Sequence, residues 1–252
     1  MSEPAGMIHW EAQDSIGILT LDAPRGNFLS DPEFIAPEQL KDLLDQDGAK
    51  ALVICGAGKH FSGGARLDDL FKLAANPVHL AERMNKGKSL LDFIENLDIP
   101  VIAVINGICF GGGLEIALAC HIRICSEKAL FAFPECNHSL MPGMGGTIRL
   151  PGKISWASSL ETILGGDMLN AQEALNMKIV DEVLPQEAGM EKALLLAKKM
   201  TKDRPRKVIR YILQALRNYK SMPLAEAMKE ETRMFCELAY EEMERRKNEN
   251  LL

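Results

Sequence analysis

Short apolar runs alternate with longer, helix-spaced stretches through the first two-thirds of the chain, and glycine, proline and asparagine mark the joins. Ser15–Leu21 reads as a first strand, ending in the turn-rich loop Asp22–Asn27. Ala51–Cys55 and Val101–Ile105 are continuously apolar, as strands buried on both faces are, and Pro100 opens the second. Ile122–Cys125 and Leu130–Phe133 give two shorter strands. Between them, residues 36–45, 67–76, 80–97 and Leu114–Cys120 are spaced as helices, with Pro37 tolerated in its helix's first turn. Asn170-Ala171-Gln172-Glu173 is a capping-box-like helix start, with Asn in place of Ser or Thr. Ile179–Leu184 closes the alternating part, and from Ala188 the chain is helix-like almost throughout. This order predicts α/β layers followed by a packed helical segment, divided at 1–187 and 188–252. No internal repeat, low-complexity tract or long linker interrupts it.

Composition narrows the class. At 252 residues the chain suits one large domain, or one domain with a helical appendage. Apolar residues at 47% and charged residues at 25% are an ordinary soluble balance. A net charge of −6 and a pI near 5.5 run against nucleic-acid binding. The basic stretch Lys198-Lys199…Arg210 reads as a solvated helix face with acidic partners elsewhere; its alternatives are phosphate or nucleic-acid contacts. No apolar run reaches the roughly 18–20 residues that span a membrane. Met1–Gly6 has neither the basic region nor the apolar core of a secretory signal. The six cysteines form no CxxC pair and lie mostly in apolar runs, as small hydrophobes do. A reducing, cytoplasmic setting is the expectation. His9, His60, His79, His121 and His138 lack metal-ligand spacing, so no metal site is expected.

Three turns carry candidate chemistry. The first, Phe61-Ser62-Gly63-Gly64-Ala65, lies between an apolar strand and a helix start at Arg66-Leu67-Asp68. It is no phosphate loop, because Val53 and His60 stand where that motif needs Gly and Ser or Thr. The second, Phe110-Gly111-Gly112-Gly113-Leu114-Glu115, opens a helix with a carboxylate in its first turn. Each glycine there costs about 1 kcal/mol of helix stability relative to alanine, a cost that close approach of a ligand would offset. Gly112 and Glu115, three apart, share a helix face. No GxGxxG fingerprint is present. The third turn is Phe133-Pro134-Glu135, followed by Pro142–Thr147. Strand–turn–helix junctions leave backbone N–H groups unpaired. Two of them can hold a developing oxyanion while two carboxylates, Glu115 and Glu135, move protons.

Taken in order, these segments resemble the enoyl-CoA hydratase/isomerase, or crotonase, family. The resemblance rests on Phe61–Ala65, Asn106-Gly107…Gly111–Glu115, Pro134-Glu135 and Pro142–Leu150, and continues through Gly165–Asp167, Ala171–Leu175 and Val180–Val183. It covers roughly residues 8–185. It implies a spiral of β-β-α turns over 1–187, with 188–252 a helical trimerisation segment, and trimers often paired into hexamers. It implies an acyl-CoA thioester as substrate, coenzyme A being the substrate's carrier, with no further cofactor. By the same resemblance the oxyanion hole maps onto the amides of Ala65 and Gly112, flanked by Gly64, Arg66, Leu67 and Asp68. The hydratase pair maps onto Glu115 as base and Glu135 as acid. Both together imply reversible hydration of a 2-enoyl thioester.

Several positions depart from the family pattern. Arg66 replaces the usual acid and is expected to point to solvent or to lie near nucleotide phosphates. His121 stands where Asp is common and is expected to be a structural donor; His138, in Cys136-Asn137-His138-Ser139, reads as a satisfied structural histidine. The loop Pro24–Asn27 is short, and Glu241–Asn250 lacks an aromatic ending. A cyclic or branched acyl group, or a carrier-protein thioester, fits these changes. The competing readings are a double-bond isomerase using one glutamate, a decarboxylase or carrier-dependent enzyme, and a non-catalytic RNA-binding or scaffold protein.

Overall fold

The computed structural model describes residues 7–249; the N-terminal stretch Met1–Gly6 and the last residues of the tail lie outside the described residues. Strand β1, Met7–Gln13, turns into β2, Ile16–Asp22, through Asp14 and Ser15, whose φ angles are 51° and 62°. A two-residue turn with both φ positive matches the right-handed twist of the flanking strands. β1 was not foreseen, although Ile8, Trp10 and Ala12 alternate with His9, Glu11 and Gln13 along it and Ile8 and Trp10 pack against the core. A four-residue helical turn, α1 (Pro24–Asn27), occupies the predicted loop, and α2 spans Pro37–Gln46 with its proline at the helix start. Then follow β3 (Ala51–Gly56), α3 (Leu67–Ala74), α4 (Pro77–Glu95), β4 (Val101–Ile105) and the three-residue β5 (Ile108–Phe110).

The second half of the larger unit contains α5 (Gly112–Ala119), β6 (Ile122–Ser126), β7 (Leu130–Ala132), a 3-10 turn over Pro134–His138, and the short helix α6 (Gly146–Arg149). A further 3-10 turn (Leu150–Gly152) leads to α7 (Trp156–Gly165), β8 (Leu169–Asn170), α8 (Ala171–Asn176) and β9 (Glu182–Leu184). The capping box at Asn170 forms as expected, the side chains of Asn170 and Glu173 each accepting from the other's backbone. The chain closes with α9 (Gly189–Thr201), α10 (Arg206–Ser221) and α11 (Leu224–Asn248).

Two sheets result. The larger has the order β1-β2-β3-β4-β6-β9, parallel except for the β1–β2 hairpin; the smaller has the order β5-β7-β8. β3 and β4 are buried along nearly their whole length, which is why their sequences are continuously apolar. Every residue of α5 is buried, so that helix shows no polar face and was legible only through its length and its glycines.

The chain divides into two compact units, one ending at Lys199 and the other beginning at Met200. In the second unit α10 and α11 fold back on each other. Lys207 pairs with Glu237 and Glu241, and the Tyr211 hydroxyl donates to Glu237 at 2.8 Å. In the first unit Lys198 lies 3.3 Å from Asp14. The basic stretch thus meets acidic partners, as its plainest reading held. Among the described residues no helix is long and apolar enough to cross a membrane. All six cysteines are free, and four of them are buried.

Candidate active site

The first turn is held by a side chain that sequence reasoning missed. Asn27 is almost wholly buried, and its amide nitrogen donates to the carbonyls of Ala57 and His60 at 3.0 and 2.7 Å. The Ser62 hydroxyl donates to the Asn27 carbonyl at 2.7 Å and accepts from the Gly64 amide at 3.1 Å. The Gly64 carbonyl in turn accepts from the Leu29 amide at 2.8 Å. With Gly64 so fixed, the next amide, that of Ala65, meets no acceptor among the described residues. Pro24–Asn27 therefore braces the site from behind.

The second turn docks directly on the first. The Phe110 amide donates to the Ser62 carbonyl at 3.0 Å. Gly64 has φ +77°, and a Cβ there would lie 2.6 Å from the Phe110 carbonyl oxygen and 3.1 Å from the Gly112 nitrogen. Only glycine lets the two turns approach this closely. Gly113 has a different reason: a Cβ on it would lie 2.5 Å from the Ser62 carbonyl oxygen. Packing therefore accounts for this glycine, where the sequence suggested a ligand. The Gly112 amide, at the start of α5, likewise has no acceptor among the described residues.

Both amides open on one cavity of about 870 Å³. Ala65, Arg66, Leu67, Asp68, Gly112, Glu115 and Glu135 all line it, while Gly64 lies just behind, joining the turns. The remaining wall is largely apolar, including Leu29, Leu70, Met84, Leu140 and Met144. Arg66 is half-buried and its guanidinium sits 5.9 Å from the Phe28 ring centroid, so it does not simply point to solvent.

The two carboxyls differ in kind. Glu115 is 2% exposed, and its Oε1 accepts from the amides of Met144 and Gly146, each at 2.7 Å. Burial raises its pKa; those two amides, Arg149 and Lys88 oppose the rise. Glu135 is half-buried on the 3-10 turn, close enough to Gly111 that a Cβ there would lie 2.7 Å from its Oε1. Its buried Oε2 has no hydrogen-bond partner among the described residues. Burial pushes its pKa up to about 7, its own amide opposes this, and the charge of Glu115 adds to the rise. Glu135 is thus no ordinary surface carboxylate.

The histidines separate. His121 is structural, as expected: Nδ1 accepts from the Val101 amide at 3.0 Å, which leaves Nε2 to donate to the Glu95 carbonyl at 3.0 Å. His138 is not a satisfied structural histidine. It is exposed on the last residue of the 3-10 turn and lines the cavity.

The sequence profile of the enoyl-CoA hydratase/isomerase family matches residues 11–249. The chain belongs to the enoyl-CoA hydratase/isomerase family. It is 36% identical over 229 residues to a probable enoyl-CoA hydratase of Bacillus subtilis (strain 168), covering 88% of this chain and 86% of that protein. It is also 36% identical over 212 residues to the fatty acid oxidation complex subunit alpha of Idiomarina loihiensis, where the match takes in 80% of this chain and only 30% of that longer protein. Among solved structures, an enoyl-CoA hydratase from Polaromonas sp. JS666 superposes with a TM-score of 0.85 at 25% identity, covering 91% of this chain and 90% of that one. Crotonase-family membership and fold therefore agree with the order of turns read from the sequence.

Proposed function

We propose that this protein adds water reversibly across the 2,3 double bond of a 2-enoyl-CoA thioester. The observation that carries the reading is the meeting, in one cavity, of two acceptor-free amides and two carboxyls held in unequal surroundings. The thioester oxygen sits between the Ala65 and Gly112 amides. Because both donors are main-chain groups, they supply charge stabilisation without a side chain, and each such donor is typically worth about 3–4 kcal/mol.

The carboxyl surroundings support the proton roles that the family resemblance implies. Two N–H groups donating to Glu115 Oε1 favour its ionised form. Burial pushes the Glu135 pKa up to about 7, and its Oε2 has no hydrogen-bond partner among the described residues, so this carboxyl holds a proton close to neutral pH. Glu115 removes a proton from water as the water oxygen bonds to C3. The electron pair moves through C2 onto the carbonyl oxygen as an enolate. Glu135 then gives its proton to C2, and solvent exchange restores both carboxyls. Exposed Ile212, Leu216, Tyr219, Met228 and Phe235 on α10 and α11 support assembly with further copies of the chain, as trimers or hexamers.

The test is hydration of a short 2-enoyl-CoA, followed by a mass gain of about 18 daltons, beside double-bond migration in the matched 3-enoyl thioester. Glu115→Gln and Glu135→Gln are each expected to lower hydration about 100-fold or more. Near-parent hydration by both variants, or migration faster than hydration in the parent, counts against it.

A further inference from the structure

We infer that Arg149 is a positioning residue, whose guanidinium fastens the Pro142–Gly146 turn to helix α4 and so keeps the Met144 and Gly146 amides aimed at Glu115. The observation is a closed set of contacts. The Arg149 side chain is 8% exposed; Nε donates to Glu95 at 2.8 Å, Nη2 to Asp92, and Nη1 to the Met144 carbonyl at 2.9 Å. A Cβ on Gly145 would collide with the same guanidinium. The Met144–Gly145 peptide that Arg149 bonds lies between the two peptides whose N–H groups, those of Met144 and Gly146, donate to Glu115. Glu95 is itself tied through its main-chain carbonyl to His121, which fixes the end of α4.

The requirement follows from fork geometry. A guanidinium reaches two carboxylates and a carbonyl at once, whereas an ammonium is a point charge on a flexible stem. Without the fork the turn loses its tie to α4, and the donors to Glu115 Oε1 lose their aim. Among the described residues, Arg149 from α6, Lys88 from α4 and Glu135 from the 3-10 turn bear on Glu115; Arg66, with Asp68, Asp69 and Lys72 of α3, and His138 line the same cavity, and β5 brings Cys109, which burial keeps neutral. Loss of the donors and of the Arg149 charge both favour the protonated acid. The pH above which Glu115 is ionised therefore moves up.

The inference rests on the reading of Glu115 as the base, and the experiment separates the two. Arg149→Met and Arg149→Lys are compared with the parent in kcat and KM for a short 2-enoyl-CoA across pH. The carboxyl of Glu115 is titrated directly by carbon-13 NMR on glutamate-labelled protein, its signal assigned by its loss in Glu115→Gln. Expected are a kcat lower by roughly 10- to 100-fold at nearly parental KM, and a Glu115 titration raised by about one pH unit in Arg149→Met. Arg149→Lys, which keeps charge without the fork, is expected to fall between. Arg123→Lys is the control, because Arg123 is also buried but bonds Cys120, Ile179 and Asp181; it loses stability without moving the Glu115 signal. Should Arg149→Met fail to fold, Arg149→Lys and Glu95→Gln decide. An unmoved Glu115 titration in folded Arg149 variants overturns the positioning role. A parent that shows this titration shift on substitution but hydrates nothing leaves the positioning intact and sinks the proposed reaction instead.

Discussion

Glu135 carries a consequence that stability alone can read. Its pKa lies near 7 in the folded protein, against an ordinary value of 4.5. Between those values the folded state holds a proton that the unfolded chain has released, so stability falls as pH rises from about 4.5 to about 7 and is level above that. Glu135→Gln has no such proton. Thermal unfolding of the pair should show the variant gaining on the parent across that window and keeping a constant lead above it; a difference that stays flat from pH 4 to pH 8 speaks against the burial described here. Where chemistry and motif coincided, at Ala65, Gly112, Glu115 and Glu135, the sequence marked residues that the fold brings onto one cavity. Asn27 and Arg149 were not so marked, because their roles depend on carbonyls 30 or more residues away or on a second helix, which no local pattern displays. His138 misled because a position three residues from a carboxylate says nothing of where a 3-10 turn ends.

Among the elements, the junction of the two glycine turns is the sensitive point. Gly64→Ala places a methyl where the Phe110 carbonyl and the Gly112 nitrogen already sit, in a backbone conformation that L-residues avoid. The expected result is a folded protein, a few degrees less stable, whose hydration rate drops about 100-fold or more because the two amides no longer share a focus. Circular dichroism and the hydration assay check this together; a variant with parental activity would sink the proposed focus. Buried parallel strands such as β3 and β4 were easy to read, since burial on both faces writes itself into the sequence. The three-residue β5 escaped for its brevity, whereas β1, with Ile8, Trp10 and Ala12 in alternation, and α7, with Trp156, Leu160 and Leu164 at helical spacing, carry legible patterns whose significance only the fold made plain.

For the whole molecule, assembly is the first thing to measure. Light scattering is expected to give three times the 27.8 kDa chain mass, or a multiple of that, and Leu216→Glu with Phe235→Glu should lower it. A parent that scatters as a single chain removes the proposed assembly. The amides of Ala65 and Gly112 come from segments between which α3, α4, β4 and β5 must all be laid down. A half-organised chain can own every acidic group it needs and still have nowhere to gather the charge of the proposed enolate. Turnover in this scaffold thus begins only with the final docking of remote segments, which makes the rate of product formation during refolding a clock for completed tertiary order.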